Sequence, residues 1–131
     1  KRGINISYKN DGKNKYLIYG IENRIEQIVA NLLDNAISFS DDNKDVIVQV
    51  SKSEDNKVYI KILDEGQGFK EKDTNRIFKR FYSNRPDKFG QHSGLGLNIV
   101  KNLVDLHNAT IKATNREDKK GASMEIEFPK V

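Results

Sequence analysis

Val58-Tyr59-Ile60-Lys61-Ile62-Leu63-Asp64-Glu65-Gly66-Gln67-Gly68-Phe69 joins two kinds of sequence without a spacer. Val58 to Leu63 alternates with period two and predicts a strand. The strand runs straight into a carboxylate followed by two glycines. Glycine permits positive φ and lets the backbone approach a ligand closely. A buried carboxylate at such a place can accept from an exocyclic amine. Read as plain structure, the same residues are a strand-ending turn with acidic decoration, and both readings stand at this point.

Upstream, Val46 to Val50 alternates in the same way, and polar Ser53-Glu54-Asp55-Asn56 separates the two runs, so an antiparallel pair is expected. Before it the period changes. Ile25, Ile28, Val29, Leu32, Leu33, Ala36 and Ile37 fall at helical spacing from Glu22 onward. Earlier still, Ile4 to Tyr8 reads as a strand and Tyr16 to Tyr19 as its partner. Asp11-Gly12 supplies the turn of a hairpin between them. Downstream of Phe69, the stretch from Lys70 to Ser93 is mostly polar, broken by a short helical piece around Ile77-Phe78 and Phe81-Tyr82. A loop of that length inside a compact domain is usually functional or disordered. Helical periodicity returns from Gly94 to His107, and strands Thr110 to Thr114 and Ser123 to Phe128 follow around Gly121. The expected fold is α+β: a mixed, mostly antiparallel sheet covered on one face by helices. Residues 1–131 read as a single domain without repeats or low-complexity linkers.

Composition narrows the function. The 131 residues suffice for a core, and 36% hydrophobic with 32% charged content describes a globular protein with a solvated surface. The mean hydropathy of -0.74 agrees. No apolar run approaches the ~18–20 residues of a membrane-spanning helix, and no signal-type stretch opens the sequence. Both statements concern this stretch of chain alone. Cysteine is absent, which excludes disulfides and thiolate metal sites. The net charge of +4 comes from 23 basic residues interleaved with 19 acidic ones. That mixing describes a solvated surface rather than a polyanion groove, and the aromatics do not alternate with a basic stripe. Nucleic acid is not an expected partner.

Two further clusters carry chemistry. Asn31 and Asn35 lie four apart at the rim of the apolar stripe, on one side of the helix. Asparagine is a mediocre helix former. A neutral amide oxygen there can help hold a hard cation such as Mg²⁺, which takes further ligands from water and phosphates; alternatively, a neighbouring loop satisfies both amides. The second cluster, His92-Ser93-Gly94-Leu95-Gly96-Leu97-Asn98-Ile99-Val100, is a glycine-rich loop opening a helix, where backbone N–H groups form an anion site. It lacks the Lys-Ser/Thr pair of a P-loop and the third glycine of the dinucleotide fingerprint. Ser93 as an ordinary N-cap is the plainer reading.

In this order and spacing, the clusters resemble the catalytic domain of sensor histidine kinases, within the ATPase superfamily shared with gyrase, the ninety-kilodalton heat-shock chaperones and mismatch-repair ATPases. Glu26 to Ala36 looks like the family's N box and Asp64 to Phe69 like the first glycine box. Ile77-Phe78-Lys79-Arg80-Phe81-Tyr82 is similar to the F box, Ser93 to Lys101 to the second glycine box, and Gly121-Ala122-Ser123 to the third. Asn35 to Ser40 with His92 and Ser93 resembles a ChvG-type subgroup.

The resemblance implies a two-layer α/β sandwich of the Bergerat type, holding ATP under a mobile lid at about residues 70–93. It implies that Asn35 ligates Mg²⁺ with Asn31 assisting, and that Asp64 accepts from the adenine amino group. Gly66 and Gly68 would thin the pocket wall beside Phe69, and Phe39 would face adenine. Ser93, Gly94, Leu95, Gly96 and Leu97 would present the second glycine box to the phosphates. Arg80 would reach them when the lid closes, and Phe78 and Phe81 would pin the lid.

Hydrolysing members of the superfamily carry a glutamate where Asn31 stands, as the base that activates water. Asparagine cannot take a proton. A kinase benefits from that lack, so the expected reaction is transfer of the γ-phosphoryl group from Mg-ATP to a histidine. Neither His92 nor His107 suits the acceptor role; His107 is expected to cap or pack. The acceptor histidine is therefore expected on a separate dimerisation domain, absent here, with a response regulator as the downstream partner of the full-length kinase. Such a protein would be a membrane-anchored homodimer with this part cytoplasmic, monomeric in isolation and free of membrane contact. Ser38 and Phe39 stand where many members have a basic residue, His92 replaces a glycine, and Asn108-Ala109 replaces a frequent Gly-Gly. Asn108-Ala109 reads as a turn variant, whereas Ser38, Phe39 and His92 motivate the alternative of a degenerate nucleotide-binding module that acts through protein contacts without phosphotransfer.

Overall fold

The computed structural model describes residues 3–12, 16–69, 78 and 95–130. Strand β1 spans Asn5–Asn10, helix α1 Glu22–Phe39, β2 Asp45–Lys52 and β3 Val58–Leu63. Helix α2 spans Leu95–Leu106, β4 Thr110–Asn115 and β5 Ala122–Phe128. The five strands form one sheet in the order β1-β2-β3-β5-β4. β1 runs parallel to β2, whereas β2–β3, β3–β5 and β4–β5 are antiparallel. The architecture is the expected α+β one, with a mixed sheet and two helices packed beside each other on one of its faces.

Register decides which side chains meet the helices. Ile62 pairs with Val48 and Met124, and Ile60 with Val50 and Ile126, so one face of the sheet is apolar across its middle strands. α1 supplies Ile28, Leu32 and Ala36 to that face, and α2 supplies Val100 and Val104, all buried. These are the i, i+4 positions that the periodicity marked. The opposite face carries Gln49, Lys61, Glu125 and Lys112 in one cross-strand row. Lys61 lies 4.0 Å from Glu125 and Lys57 3.2 Å from Glu127, as befits a solvated sheet face.

The expected first hairpin is not there. Tyr16–Tyr19 forms no strand, and β1 takes β2 as its partner, with Asn5 opposite Asp45. Parallel neighbours need a long crossover, and α1 lies within it. The alternation at 16–19 serves packing instead: Tyr16 and Ile18 lie against the core, whereas Leu17 and Tyr19 are exposed. Asp11 does not close a hairpin turn. Its carboxylate accepts from the Lys52 N–H at 2.9 Å and from the Tyr16 hydroxyl, tying the end of β1 to the end of β2.

The helix ends are specified locally. α2 closes in a Schellman motif, with the Ala109 N–H donating to Val104 O at 3.1 Å and the Asn108 N–H to Asp105 O at 3.0 Å. Asn108 takes φ 57°, so asparagine occupies a left-handed position that glycine often fills. His107 caps, as expected. Its Nδ1 lies 2.8 Å from Leu103 O and its Nε2 accepts from the Ile21 N–H at 3.1 Å, which fits the tautomer protonated on Nδ1. Ile21 is the N-cap of α1 and has no capping side chain of its own. A residue from the end of α2 therefore caps the start of α1.

Candidate nucleotide site

The elements converge on the loop that follows β3. Asp64 is 3% exposed. Its Oδ1 accepts from the main-chain N–H groups of Gly66 and Ala122, each at 3.0 Å. The Asp64 N–H donates in turn to Ala122 O at 2.9 Å. Two N–H donors fix the carboxylate's orientation, which a buried anion needs if it is to present a defined acceptor. Gly121 makes this approach possible. It sits at φ 144°, and a Cβ there would come within 2.1 Å of Asp64 O. The small third glycine box thus backs Asp64 directly.

The end of α1 is joined to the same loop. Ser40, fully buried, forms a lone bridge with Gly66, and its Oγ accepts from the Glu65 N–H at 3.2 Å. The Glu65 side chain reaches across to accept from the Asp45 N–H at 2.9 Å, and it lies 3.5 Å from Lys119 Nζ. The Asp45 N–H foremost, and the Lys119 charge after it, hold the Glu65 carboxyl below the ordinary value. Through Ser40 and Glu65, helix α1, strand β2 and the turn between β4 and β5 all grip one loop.

Asn31 and Asn35 are half-buried on α1, on a shared side next to the Leu32–Ala36 stripe. Among the described residues neither side-chain amide takes a hydrogen-bond partner, so the neighbouring-loop reading of these amides gains no support there. Phe39 is half-buried at the last position of α1, beside Ser40. Gly66 and Gly68 are buried, and Gly68 takes the positive φ of 79° that the sequence pattern expected. Phe69 packs in the core. Leu95, Gly96 and Leu97 open α2, Gly96 exposed and Leu97 half-buried. Phe78 is 5% exposed within the core, and its carbonyl accepts from Asn98 Nδ2 at 3.1 Å, so this phenylalanine is held against α2. Arg80, Phe81, His92, Ser93, Gly94 and the expected lid around Phe78 lie outside the described residues.

The sequence pattern passed over three residues of this region. Ser40 figured only in the ChvG-type resemblance, and Asn115 and Arg116 lay just past the strand expected to end at Thr114. Asn115 Oδ1 accepts from the Phe69 N–H at 2.7 Å and its Nδ2 donates to Phe69 O at 3.2 Å. Arg116, its side chain 4% exposed, donates from Nη1 to Asp64 O at 3.1 Å and forks onto Asp118 through Nε and Nη2. The only forewarning was Gly68 itself, because a buried left-handed residue needs something to hold it.

The described residues contain no cluster of three or more His, Asp or Glu side chains that could hold a metal ion. A cation here would draw on a single amide oxygen together with the oxygens of a bound phosphate and water, a donor set that suits Mg²⁺.

A buried carboxylate fixed at a strand end, glycines around it and an amide-bearing helix tied to it form one arrangement. The model of the histidine kinase-, DNA gyrase B-, and HSP90-like ATPase family matches residues 20–131. The chain belongs to this family. Its relatives include sensor proteins and histidine kinases. The sensor protein ChvG of Agrobacterium fabrum is 38% identical over 128 residues, covering 92% of this chain and 21% of that protein. The sensor protein ChvG of Rhizobium meliloti is 36% identical over 119 residues, covering 88% and 20%. Among solved structures, the mycobacterial sensor histidine kinase MprB superposes with a TM-score of 0.82 at 25% identity, over 97% of this chain and 82% of that one. Full-length ShkA in complex with AMPPNP superposes with a TM-score of 0.80 at 26% identity, over 98% of this chain and 26% of that one. This ATPase-family chain spans about a fifth of the length of the ChvG proteins it matches. No helix among the described residues is long and apolar enough to cross a membrane.

Proposed function

We propose that residues 1–131 form a single catalytic domain that binds Mg-ATP between α1, the Asp64–Phe69 loop and the start of α2, and transfers the γ-phosphoryl group to a histidine on a separate dimerisation domain. The observation that carries this reading is the pair Asn31 and Asn35. Two half-buried amides, without hydrogen-bond partners among the described residues, stand on a helix whose end is tied by Ser40 to the loop of a fixed carboxylate. Half-buried amides that no described residue engages are open to a ligand, and a hydrated cation with phosphates suits them.

Asp64 accepts from the adenine amino group, with Gly66, Gly68 and Phe69 as the wall beside it and Phe39 facing the base. Asn35 supplies an oxygen to the metal and Asn31 assists. The second glycine box from Ser93 through Leu97 offers main-chain N–H groups to the phosphates, and Arg80 reaches the same charge. Mg²⁺ held by Asn35 with help from Asn31 would supply charge neutralisation for the transferred phosphoryl group. Asn31 withholds a base from water, so the nucleophile is the histidine of the partner domain. The AMPPNP in the ShkA structure and the names of the ChvG relatives agree with this reading. By the same likeness, the chain is the cytoplasmic part of a membrane-anchored homodimer that signals to a response regulator.

Calorimetric titration of AMPPNP, with and without Mg²⁺, into the wild type and Asn35→Ala tests the site. The expected outcome is magnesium-dependent binding that Asn35→Ala weakens by about tenfold or more, the worth of one charge-assisted contact. An added dimerisation domain should then become labelled from ATP, while the chain alone releases little phosphate. Absence of nucleotide binding in the wild type, at any magnesium concentration, would return the chain to the degenerate interaction module.

A further inference from the structure

The Asp64–Phe69 loop is gripped at both ends by two consecutive residues of one strand-end, neither of them among the residues assigned to the nucleotide. Arg116 holds the carbonyl of Asp64, and Asn115 holds both the N–H and the carbonyl of Phe69. The two grips are different in kind. Arg116 is locked by its fork onto Asp118 before it reaches the loop, and its own N–H closes the β4–β5 turn on Gly121 O at 2.9 Å. Asn115 acts as a two-point clamp of the sort one strand applies to the next, delivered by a side chain. Between the grips, Gly68 has no freedom to accept a side chain: a Cβ there would lie 2.5 Å from Asn115 Oδ1 and 3.3 Å from Gly121 O.

We propose that Asn115 and Arg116 are positioning residues of the nucleotide site, fixing the main-chain path from Asp64 to Phe69 so that the Asp64 carboxylate distinguishes an amino group from a carbonyl oxygen on a purine. This inference rests on the adenine reading of Asp64 given above. Its physical basis is that a carboxylate discriminates sharply only when it cannot move. At the matching position adenine donates through its amine and guanine offers an oxygen, so a fixed acceptor rejects guanine. A loop that can shift lets Asp64 withdraw from that oxygen, and a water can fill the gap. Loosening the clamp therefore costs affinity for adenine nucleotides and lowers the preference over guanine nucleotides together.

The test compares ADP and GDP affinities, by calorimetry, for the wild type, Asn115→Ala, Asn115→Asp and Arg116→Met, with thermal melts of each. Asn115→Ala removes both bonds to Phe69 and is expected to weaken ADP about tenfold, the worth of two ordinary hydrogen bonds. The ADP-over-GDP ratio should fall by a similar factor. Asn115→Asp keeps an acceptor for the Phe69 N–H and loses only the donor, so it should fall between, and it serves as the folded comparison if the alanine variant melts early. Arg116→Met should lower the same ratio through the Asp64 end. A purely structural role predicts lower melting temperatures with the ADP-over-GDP ratio unchanged in all three variants, and that result overturns the proposal while leaving the adenine reading intact. A wild type that binds ADP and GDP equally, or neither, overturns both.

Discussion

Asp64 is held for structure through its side chain and main chain, and is proposed to meet the adenine amine as well. Its Oδ1 is used by the Gly66 and Ala122 N–H groups, and its main-chain atoms by Ala122 and Arg116. Asp64→Asn keeps a side-chain oxygen for those two N–H groups but removes the negative charge. The expected result is a fold of near wild-type stability with ATP-analogue affinity lower by about ten- to a hundredfold, the range of a hydrogen bond to a charged group. Asp64→Ala instead orphans two buried donors, at about 1–3 kcal/mol each, and should shift the urea midpoint visibly. The contrast between the two variants, measured by calorimetry and urea unfolding, separates the two duties. Asp64, Asn35 and Asn31 were legible in the sequence as candidates because their residue types and spacing set them apart. Asn115, Arg116 and Ser40 were not, because their side chains act on main-chain atoms distant in sequence, and any strand-end or helix-end could hold such residues.

Helices and strands announced themselves unequally. Both helices and strands β2 to β5 follow from period, because each has one face against the core and one toward water. β1 was recognisable as a strand, but its partner was not. At a sheet edge with almost every residue exposed, alternation says nothing about whether the neighbour comes next in the chain or after a helix. The joint between the helices was half legible: His107 was expected to cap or pack, yet the helix it caps is the other one. His107→Ala should uncover the Ile21 N–H and cost about 0.5–2 kcal/mol, the usual range for loss of an N-cap. Hydrogen exchange should quicken first in the opening turn of α1, over Glu22 to Ile25. Unchanged exchange there would show that water replaces the imidazole at no cost.

Across the whole molecule, Glu65 is the point where the layers meet, since it links the loop after β3 to the start of β2 and to the turn before β5. Its carboxyl is held below the ordinary value in the folded protein. A depressed carboxyl contributes stability that is fully present above its unfolded value of about 4.3 and is lost as pH falls through the folded one. The wild type should therefore lose stability below about pH 5 more steeply than Glu65→Gln, by at most ~1.4 kcal/mol per pH unit for one proton. Urea midpoints measured from pH 7 to pH 3 check this, and parallel acid limbs for the two proteins would exclude Glu65 as the group responsible. β1 has a different bearing on the molecule. It is hydrogen-bonded to β2 at one edge and buries little. A pull applied at the N-terminal end is spent first on peeling β1 from β2, and Asp11 on Lys52 is the last stitch of that seam. The first rung of that seam, Asn5 opposite Asp45, stands one hydrogen bond from the Asp64 loop, because the Asp45 N–H donates to Glu65, so the sheet edge and the loop share a single anchor.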